Sequence, residues 1–198
     1  MRPRLARLRT SAALLAALLA ALCALGACQS ARLPEPGALR QLDAALRARA
    51  SATAVLEDWC AARHLAADPR IHAEPVGGAE RPAGAAVRRA LQVSAREPVR
   101  HRRVRLRCGM HVLSVADNWY VPSRLTAAMN ATLEATDEPF GRVVQPLGFH
   151  RIRLSTRTLW PPRAGTILEQ RALLALPDGT PFSYVIEDYQ RAALGGPA

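Results

Sequence analysis

The stretch from residue 99 to residue 122 carries side chains that could do chemistry. Arginine and apolar side chains alternate along its first half, which predicts a β-strand, and a Gly-containing turn then leads into a second strand. Arg102 falls on the apolar face of the first strand, together with Val104. Because an inward guanidinium is costly unless it meets an anion, this hairpin predicts a site for a carboxylate ligand. The alternative is a basic, solvated sheet face, which fits Arg105 and Arg107 better than Arg102.

The elements around this hairpin follow from apolar spacing and from the positions of Gly and Pro. Ser51 or Thr53 divides the first helical stretch in two and caps its second half. The predicted helices cover 38–64, 86–93 and 124–134, a loop covers 137–142, and the strands outside the hairpin cover 70–74, 149–160, 167–176 and 181–189. Short hairpin links make the sheet antiparallel. We therefore predict an α+β fold with about six antiparallel strands and helices packed on one face.

Composition narrows the class of partner. The chain has 198 residues and a net charge of +11, and all 27 of its basic residues are arginine. Four of these lie before residue 10 and all 16 acidic residues lie later, so the remainder keeps 23 arginines and a charge of +7. Such an excess suits nucleic acid, an anionic membrane surface or small anions. With three residues each of Phe, Tyr and Trp, stacking platforms are few, and nucleic acid is not a predicted partner.

Residues 1–28 have the pattern of a secretory signal peptide. Arginines at the start form a positive region, and the apolar run from Ser11 to Leu25 is short for a transmembrane helix. The tetrapeptide Leu-Gly-Ala-Cys that ends at Cys28 resembles the lipobox of bacterial lipoproteins, which implies that Cys28 is acylated and becomes the mature N-terminus. Gln29, where an Asp would imply retention in the inner membrane, implies the outer membrane. The alternatives are an uncleaved anchor or a wrongly assigned start codon.

Two cysteines remain after this leader, Cys60 and Cys108. A disulfide between them is the alternative in an oxidising periplasm, but we expect two buried free thiols. Their spacing has no metal-ligand pattern, so no metal site is predicted. The histidines His101, His111 and His150 are interpreted as ordinary sheet-surface residues. A tether over 29–37 then leads into a single domain over 38–192.

The order of these elements resembles the chorismate lyase fold, which chorismate pyruvate-lyases share with the UTRA effector domains of some transcription regulators. The resemblance covers roughly residues 39–190 and rests on three patches. The first patch, Arg102-Arg103-Val104-Arg105-Leu106, is similar to an Arg-x-(Val/Ile)-x-Leu strand of the family. The second, Glu138-Pro139-Phe140-Gly141-Arg142, is similar to a Pro-Leu-Gly-Arg turn. The third, Val185-Ile186-Glu187, is similar to the strand whose Glu ends the family's site.

The resemblance implies an enzyme that cleaves chorismate to 4-hydroxybenzoate and pyruvate without a metal or a coenzyme. It implies that Arg102 binds the ring carboxylate, although an ungapped count along the hairpin gives this role to Arg103. The backbone N–H of Phe140, beside Gly141, would bind the same carboxylate. Glu187 would accept from the hydroxyl at the opposite end of the ring, so Arg102 and Glu187 are the implied catalytic residues.

Two functions follow from these observations. The first is a lipid-anchored envelope protein that binds, and in a stronger form of the hypothesis cleaves, chorismate or a related aromatic carboxylate. The second is a non-catalytic module of the same fold that binds a small acid or a partner. The export signal keeps this second function open, because chorismate is a cytoplasmic metabolite and a fold does not by itself fix a function.

Overall fold

The computed structural model of the chain describes residues 36–195. The predicted signal peptide over 1–28, the lipidation site Cys28 and nearly all of the tether lie outside these residues. The helices are α1 (Pro36–Ala48), α2 (Ala52–Ala62), α3 (Ala85–Leu91), α4 (Ala127–Ala135) and α5 (Phe140–Val143), with 3-10 turns at Pro122–Arg124, Gln145–Leu147 and Arg191–Leu194. The strands are β1 (Ile71–Pro75), β2 (Arg100–Cys108), β3 (His111–Tyr120), β4 (His150–Arg163), β5 (Thr166–Ala175) and β6 (Pro181–Gln190). Within 36–195, none of the helices has the length and apolar character needed to cross a membrane.

The described strands form one antiparallel sheet in the order β1-β2-β3-β6-β5-β4. Gly109, with φ +53°, and Gly179, with φ +88°, provide the left-handed conformations that the β2–β3 and β5–β6 turns require. Strand β6 pairs with both β3 and β5, so the last strand of the chain lies in the middle of the sheet. The predicted α+β class and the antiparallel sheet of about six strands are confirmed.

Four of the helices cover one face of the sheet, which we call the inner face and which carries Leu106. Leu42 of α1 and Leu56 of α2 belong to one buried apolar cluster with Leu106. Leu133 of α4 and Phe140 of α5 belong to a second cluster with residues at the ends of β3, β5 and β6. The region between these two clusters is where the inner face can hold a cavity.

Helix α3 lies on the opposite, outer face, so the prediction that the helices pack on one face is wrong for α3. Its Leu91 is buried with Trp119 and Leu173. Trp119 pairs with His101, which alternates with Arg102 along β2 and therefore lies on the outer face. Trp119 and Leu173 are large apolar side chains on a largely charged face, and packing by α3 removes them from water.

The side chain of His101 is also buried on the outer face, which corrects its interpretation as a surface residue. Its Nε2 lies 2.8 Å from Asp117 Oδ1, and its Nδ1 accepts a hydrogen bond from the Arg81 amide at 3.1 Å. The ring lies 4.8 Å from the ring of Trp119. The loop that carries Arg81 covers this end of the sheet, and period-two patterning along β2 gives no sign of such a cover.

Helix starts depend on short polar side chains, as the sequence indicates in part. Ser51, one of the two predicted caps, begins α2 and accepts from the Ala54 amide at 3.3 Å. Helix α4 begins three residues later than predicted, because its cap is Thr126, which accepts from the Met129 amide at 3.1 Å. The predicted loop over 137–142 contains the start of the short helix α5.

Cys60 of α2 and Cys108 of β2 are joined by a disulfide, so the expectation of two free thiols is wrong. Both residues are buried where α2 crosses the end of β2. Their Cα atoms lie 6.4 Å apart, within the range that a disulfide spans. The pairing depends on how a helix and a strand 48 residues apart pack together, and local spacing carries no information on that.

The charged outer face gives a testable pH dependence at Asp188. Burial raises the pKa of Asp188, and the neighbouring carboxylates Glu169 and Asp117 raise it further. A folded-state pKa above the unfolded value gives stability that is full at low pH and is lost as pH rises through the folded pKa. Asp188→Asn is therefore expected to raise the Tm at pH 7 by about 1–2 °C and to leave it nearly unchanged at pH 3.

A matched control of opposite sign lies in the β5–β6 turn. Asp178 accepts from the Thr180 amide at 2.8 Å, and this hydrogen bond lowers the pKa of Asp178. Its stabilisation is present at neutral pH and is lost as pH falls. Asp178→Asn should therefore lower the Tm at pH 7, and thermal melts at both pH values distinguish the two carboxylates. The same sign of change in both variants at pH 7 would refute this assignment.

Candidate functional site

A cavity lies between the inner face and the helices that cover it. It is lined by Ala50, Ser51, Ala52, Thr53, Arg102, Val104, Leu106, Ala116, Asn118, Phe140, Gly141, Phe149, Arg151, Leu174, Val185 and Glu187. The structure therefore brings together four of the predicted site residues, Arg102, Phe140, Gly141 and Glu187. Arg103 does not line this cavity: it is exposed on the outer face, with its Nε 3.9 Å from Asp117 Oδ2.

Arg102 is held in place by neutral groups. Its Nη1 donates to the Glu138 carbonyl at 3.0 Å and its Nη2 donates to the Thr136 carbonyl at 3.1 Å. Among residues 36–195, no carboxylate lies within ion-pair distance of this guanidinium. Burial lowers the pKa of Arg102, while Tyr120 and Asp137 act in the opposite direction. Arg102 is thus an oriented, partly desolvated cation that can receive an anion.

The turn that carries Phe140 closes one side of the cavity. The ring centroids of Phe140 and Tyr120 lie 5.4 Å apart. Both residues belong to the second inner-face cluster. The amides of Phe140 and Gly141 have no hydrogen-bond acceptor in the described part of the chain. A Cβ on Gly141 would lie 2.9 Å from Thr53 Oγ1 and 3.1 Å from Ser51 Oγ. Glycine is therefore required here because α5 approaches the start of α2 closely.

Arg142, which follows in the same motif, fixes this turn rather than the ligand site. Its guanidinium forms ion pairs with Glu57 and Glu138 and donates to the Ile71 carbonyl at 3.2 Å. The hydrogen bond from Arg142 lowers the pKa of Glu138, and Arg70 lowers it further. The network joins α2, β1 and α5, so it holds the Phe140 turn at a set distance from the sheet.

At the other side of the cavity, Glu187 is paired with Arg151, which the sequence analysis missed. Their side chains are 8% and 5% exposed, and two contacts join them, Nη2 to Oε2 and Nη1 to Oε1, the second at 3.5 Å. Tyr189 Oη donates to Glu187 Oε2 at 2.9 Å. Burial alone would lower the pKa of Arg151, but the Glu187 charge raises it. Burial raises the pKa of Tyr189 well above its usual value. The Glu187 charge is therefore compensated inside the protein.

Asn118 is a second residue that the sequence analysis missed. It lies directly opposite Arg102 in the β2–β3 pairing, and it is 6% exposed. The fully buried Ser183 donates from its Oγ to Asn118 Oδ1, which orients the amide. The signal for both missed residues was present as a polar side chain at an inward position of a predicted strand. For Arg151 that position alternates with the exposed Ile152.

No protein-family model matches this chain. The chain is 44% identical over 181 residues to the uncharacterized protein y4mC of Sinorhizobium fredii, and the match covers 81% of this chain and 76% of that protein. The chain belongs to the family of y4mC.

Two solved structures are similar to part of this chain. The possible transcriptional regulator YydK from Bacillus subtilis has a TM-score of 0.45 and 14% identity, over 62% of this chain and 59% of its own. The chain thus spans less than two thirds of YydK. The effector domain of PhnF from Mycobacterium smegmatis has a TM-score of 0.48 and 12% identity, over 62% of this chain and 82% of its own. Similarities at this level assign no function.

The cavity of this chain combines three chemical environments. Arg102 and Asn118 supply hydrogen-bond donors at one end, and the compensated Glu187–Arg151 pair lies at another. Apolar side chains such as Leu106 and Val185 lie between them on the sheet. Within 36–195, no group of three or more His, Cys, Asp or Glu side chains is arranged to hold a metal ion. This arrangement suits an apolar body that carries an anionic group.

The cavity between Arg102 and Glu187 is small. Its volume is about 40 Å³, which is room for a few water molecules. A cavity that admits benzene measures about 150 Å³. A ring can therefore enter only if part of the wall moves outward, and the wall includes the α1–α2 link from Ala50 to Thr53 and the side chain of Phe149.

Proposed function

We propose that this chain is a binding protein for a small aromatic carboxylate, with Arg102 as the anchor of the carboxylate. The observation that carries the proposal is a partly buried guanidinium, oriented by two backbone carbonyls, that faces an apolar cavity without a carboxylate partner among residues 36–195. A partly desolvated cation without a counter-ion has lost part of its hydration, so contact with a ligand anion is favourable at this position. The free Phe140 amide is the second donor to that anion.

The separation of the two ends supports a ligand of ring size. Arg102 and Glu187 lie on β2 and β6, with β3 between them, and they are offset by two residues. On an ideal sheet this places their Cα atoms about 12 Å apart. A ring that spans these two ends requires the wall formed by residues 50–53 or by Phe149 to move outward. The hydroxyl of a 4-hydroxybenzoate-like ligand would then lie towards Glu187 and Arg151.

Cleavage of chorismate to 4-hydroxybenzoate and pyruvate is the finer form of this proposal, and it rests on the sequence resemblance. One observation favours binding without cleavage: the Glu187 carboxylate is already held by Arg151 and Tyr189. A carboxylate so compensated polarises a ligand hydroxyl less than a free one does. Incubation of the full-length protein with chorismate, with release of pyruvate as the readout, separates the two. Sustained pyruvate release would support the lyase, and its absence with tight binding would support the binding protein.

Arg102→Ala is expected to abolish the preference of the protein for an acid over its uncharged analogue. A hydrogen bond to a charged group contributes roughly 1.5–3 kcal/mol, so wild-type protein should bind 4-hydroxybenzoate about ten- to a hundredfold more tightly than phenol. Calorimetric titration of the full-length protein with both ligands measures this ratio. In Arg102→Ala the ratio should fall to about one.

Arg103→Ala is the matched control, because it removes a neighbouring arginine from the outer face of the same strand. It should leave the ratio of the two affinities unchanged. Equal binding of acid and phenol by the wild-type protein, or an unchanged ratio in Arg102→Ala, would refute the anchor. If Arg103→Ala instead abolishes the preference for 4-hydroxybenzoate over phenol, the binding site lies on the outer face.

We further propose that the protein is a lipid-anchored lipoprotein of the bacterial cell envelope, facing the periplasm from the outer membrane. The leader pattern that ends at Cys28 supports this, and Gln29 supports the outer membrane. The Cys60–Cys108 disulfide is an independent support, because disulfides persist in oxidising compartments. In this proposal the partners are a small aromatic carboxylate and the membrane, through the lipid, and nucleic acid is not a partner.

Cys28→Ala is expected to block lipidation and processing. The variant should accumulate as an unprocessed precursor or as a form released from the membrane, because acyl chains contribute about 0.8 kcal/mol per buried methylene to anchoring. Membrane fractionation and intact-mass measurement of both proteins provide the test. Cys23→Ala, in the apolar run of the same leader, is the control and should behave as wild type. Unchanged mass and fractionation in Cys28→Ala would contradict the proposal.

A further inference from the structure

The first turn of α2 faces the same cavity as Arg102. Ser51, Ala52 and Thr53 all line it. Ser51 caps the Ala54 amide, but the amides of Ala52 and Thr53 have no acceptor among residues 36–195. The first turn contains no acidic side chain. The positive end of an 11-residue helix is thus directed at the cavity without compensation from its own sequence.

The hydroxyl of Thr53 is the independent sign that this helix end meets a ligand. Thr53 is 5% exposed, and its Oγ1 forms no hydrogen bond with any residue that the structure describes. Thr53 lines the cavity, so its hydroxyl is a donor that a ligand there can use. The close approach of Gly141 fixes where Thr53 Oγ1 lies, because a larger residue would collide with it.

A count of donors shows that one carboxylate is not enough for this cavity. A carboxylate accepts about four hydrogen bonds. Arg102 can supply two in a bidentate contact, and the Phe140 amide and the Nδ2 of Asn118, whose Oδ1 is taken by Ser183, can supply one each. The Thr53 hydroxyl and the amides of Ala52 and Thr53 are then left over. They require acceptors of their own.

We propose that the N-terminus of α2 is a second anion site in the cavity, formed by the Ala52 amide and by the amide and hydroxyl of Thr53. The ligand is then an aromatic dicarboxylate, with one carboxylate on Arg102 and Asn118 and the other on the start of α2. This inference rests on the proposed function, because it assigns the second half of the same ligand. It also separates this cavity from one built for a monocarboxylate such as 4-hydroxybenzoate.

The test is a calorimetric titration of the full-length protein at pH 7.5 with benzoate and with the three benzenedicarboxylate isomers. At least one isomer is expected to bind about tenfold or more tightly than benzoate, because a charge-assisted hydrogen-bonded contact is gained. If benzoate binds and no dicarboxylate binds more tightly, the second site is refuted and the Arg102 anchor stands. If none of the acids binds, the proposed function is refuted and the second site with it.

Three variants locate the effect. Thr53→Val keeps the shape of the side chain but removes the hydroxyl, so the dicarboxylate preference should fall severalfold. Ala54→Glu places a carboxylate three residues after the Ser51 cap, which stabilises the helix while repelling an anion, so the preference should vanish without a loss of Tm. Thr156→Val is the control, since Thr156 Oγ1 forms no hydrogen bond in the described structure and does not line the cavity. A preference that survives Ala54→Glu, or falls equally in Thr156→Val, would overturn the proposal.

Discussion

Replacement of Arg151 by methionine is expected to lower the free energy of unfolding by about 3–5 kcal/mol, because it leaves Glu187 as an uncompensated charge in the interior. Both side chains are almost fully removed from water, and Tyr189 is the other polar partner of that carboxylate. Urea unfolding of the full-length protein measures the change. Arg153→Met is the matched control: Arg153 is on the same strand, donates to the Arg47 carbonyl at 3.2 Å, and pairs with no carboxylate among the described residues.

The double variant Arg151→Met with Glu187→Leu separates the cost of an unpaired charge from the cost of lost packing. Removal of both charges should restore much of the stability, because a buried ion pair is often no more stabilising than apolar side chains of similar volume. If the double variant is as unstable as Arg151→Met alone, packing and not charge explains the loss. If Arg153→Met costs as much as Arg151→Met, the pair has no special role.

The same pair changes how ligand recognition by Glu187 must be tested. Glu187→Gln would leave Arg151 without its counter-ion, so a loss of binding in this variant could follow from local rearrangement. A comparison of benzoate with 4-hydroxybenzoate in the wild-type protein avoids this problem, because the protein stays the same and only the hydroxyl changes. The sequence alone could not show this, since Glu187 was interpreted there as a free acceptor.

The inward position of Arg102 is a result that local pattern could predict. Period-two alternation places Arg102 on the face of Val104 and Leu106, and that face is the one that the structure buries. Comparison with a family motif left Arg103 open, because a slip of one residue turns a strand side chain to the other face. The apolar neighbours, rather than the motif, carry the information that decides the face.

Contacts that depend on the order of the strands in the sheet could not be predicted from the sequence. Arg151 and Glu187 lie on β4 and β6, and β5 lies between these strands in the sheet. Alternation along each strand says that a side chain points inward, but it does not say which strands are neighbours. The same limit applies to α3, whose side of the sheet depends on Trp119 of β3, and to the Cys60–Cys108 pairing.

Loss of the Cys60–Cys108 disulfide is expected to lower the free energy of unfolding by about 4 kcal/mol. The bridge closes a loop of 48 residues, and in the chain-entropy model a cross-link over that length restricts the unfolded chain by this amount. Urea unfolding of Cys60→Ser/Cys108→Ser against wild type measures the change. A reductant should destabilise the wild type and leave the double variant unaffected, because the variant has no bridge to lose.

Thiol counting by mass spectrometry decides whether the bridge forms in the protein as produced. Alkylation of unfolded, unreduced protein should leave Cys60 and Cys108 unmodified, and modification of both would show that the bridge is absent. Total stabilities are about 5–15 kcal/mol, so about 4 kcal/mol is a large share of the whole. A chain that depends on this bridge should therefore accumulate in folded form when exported to an oxidising compartment and should be depleted in a reducing one. Equal folded yield with and without the two cysteines in both compartments would contradict that dependence.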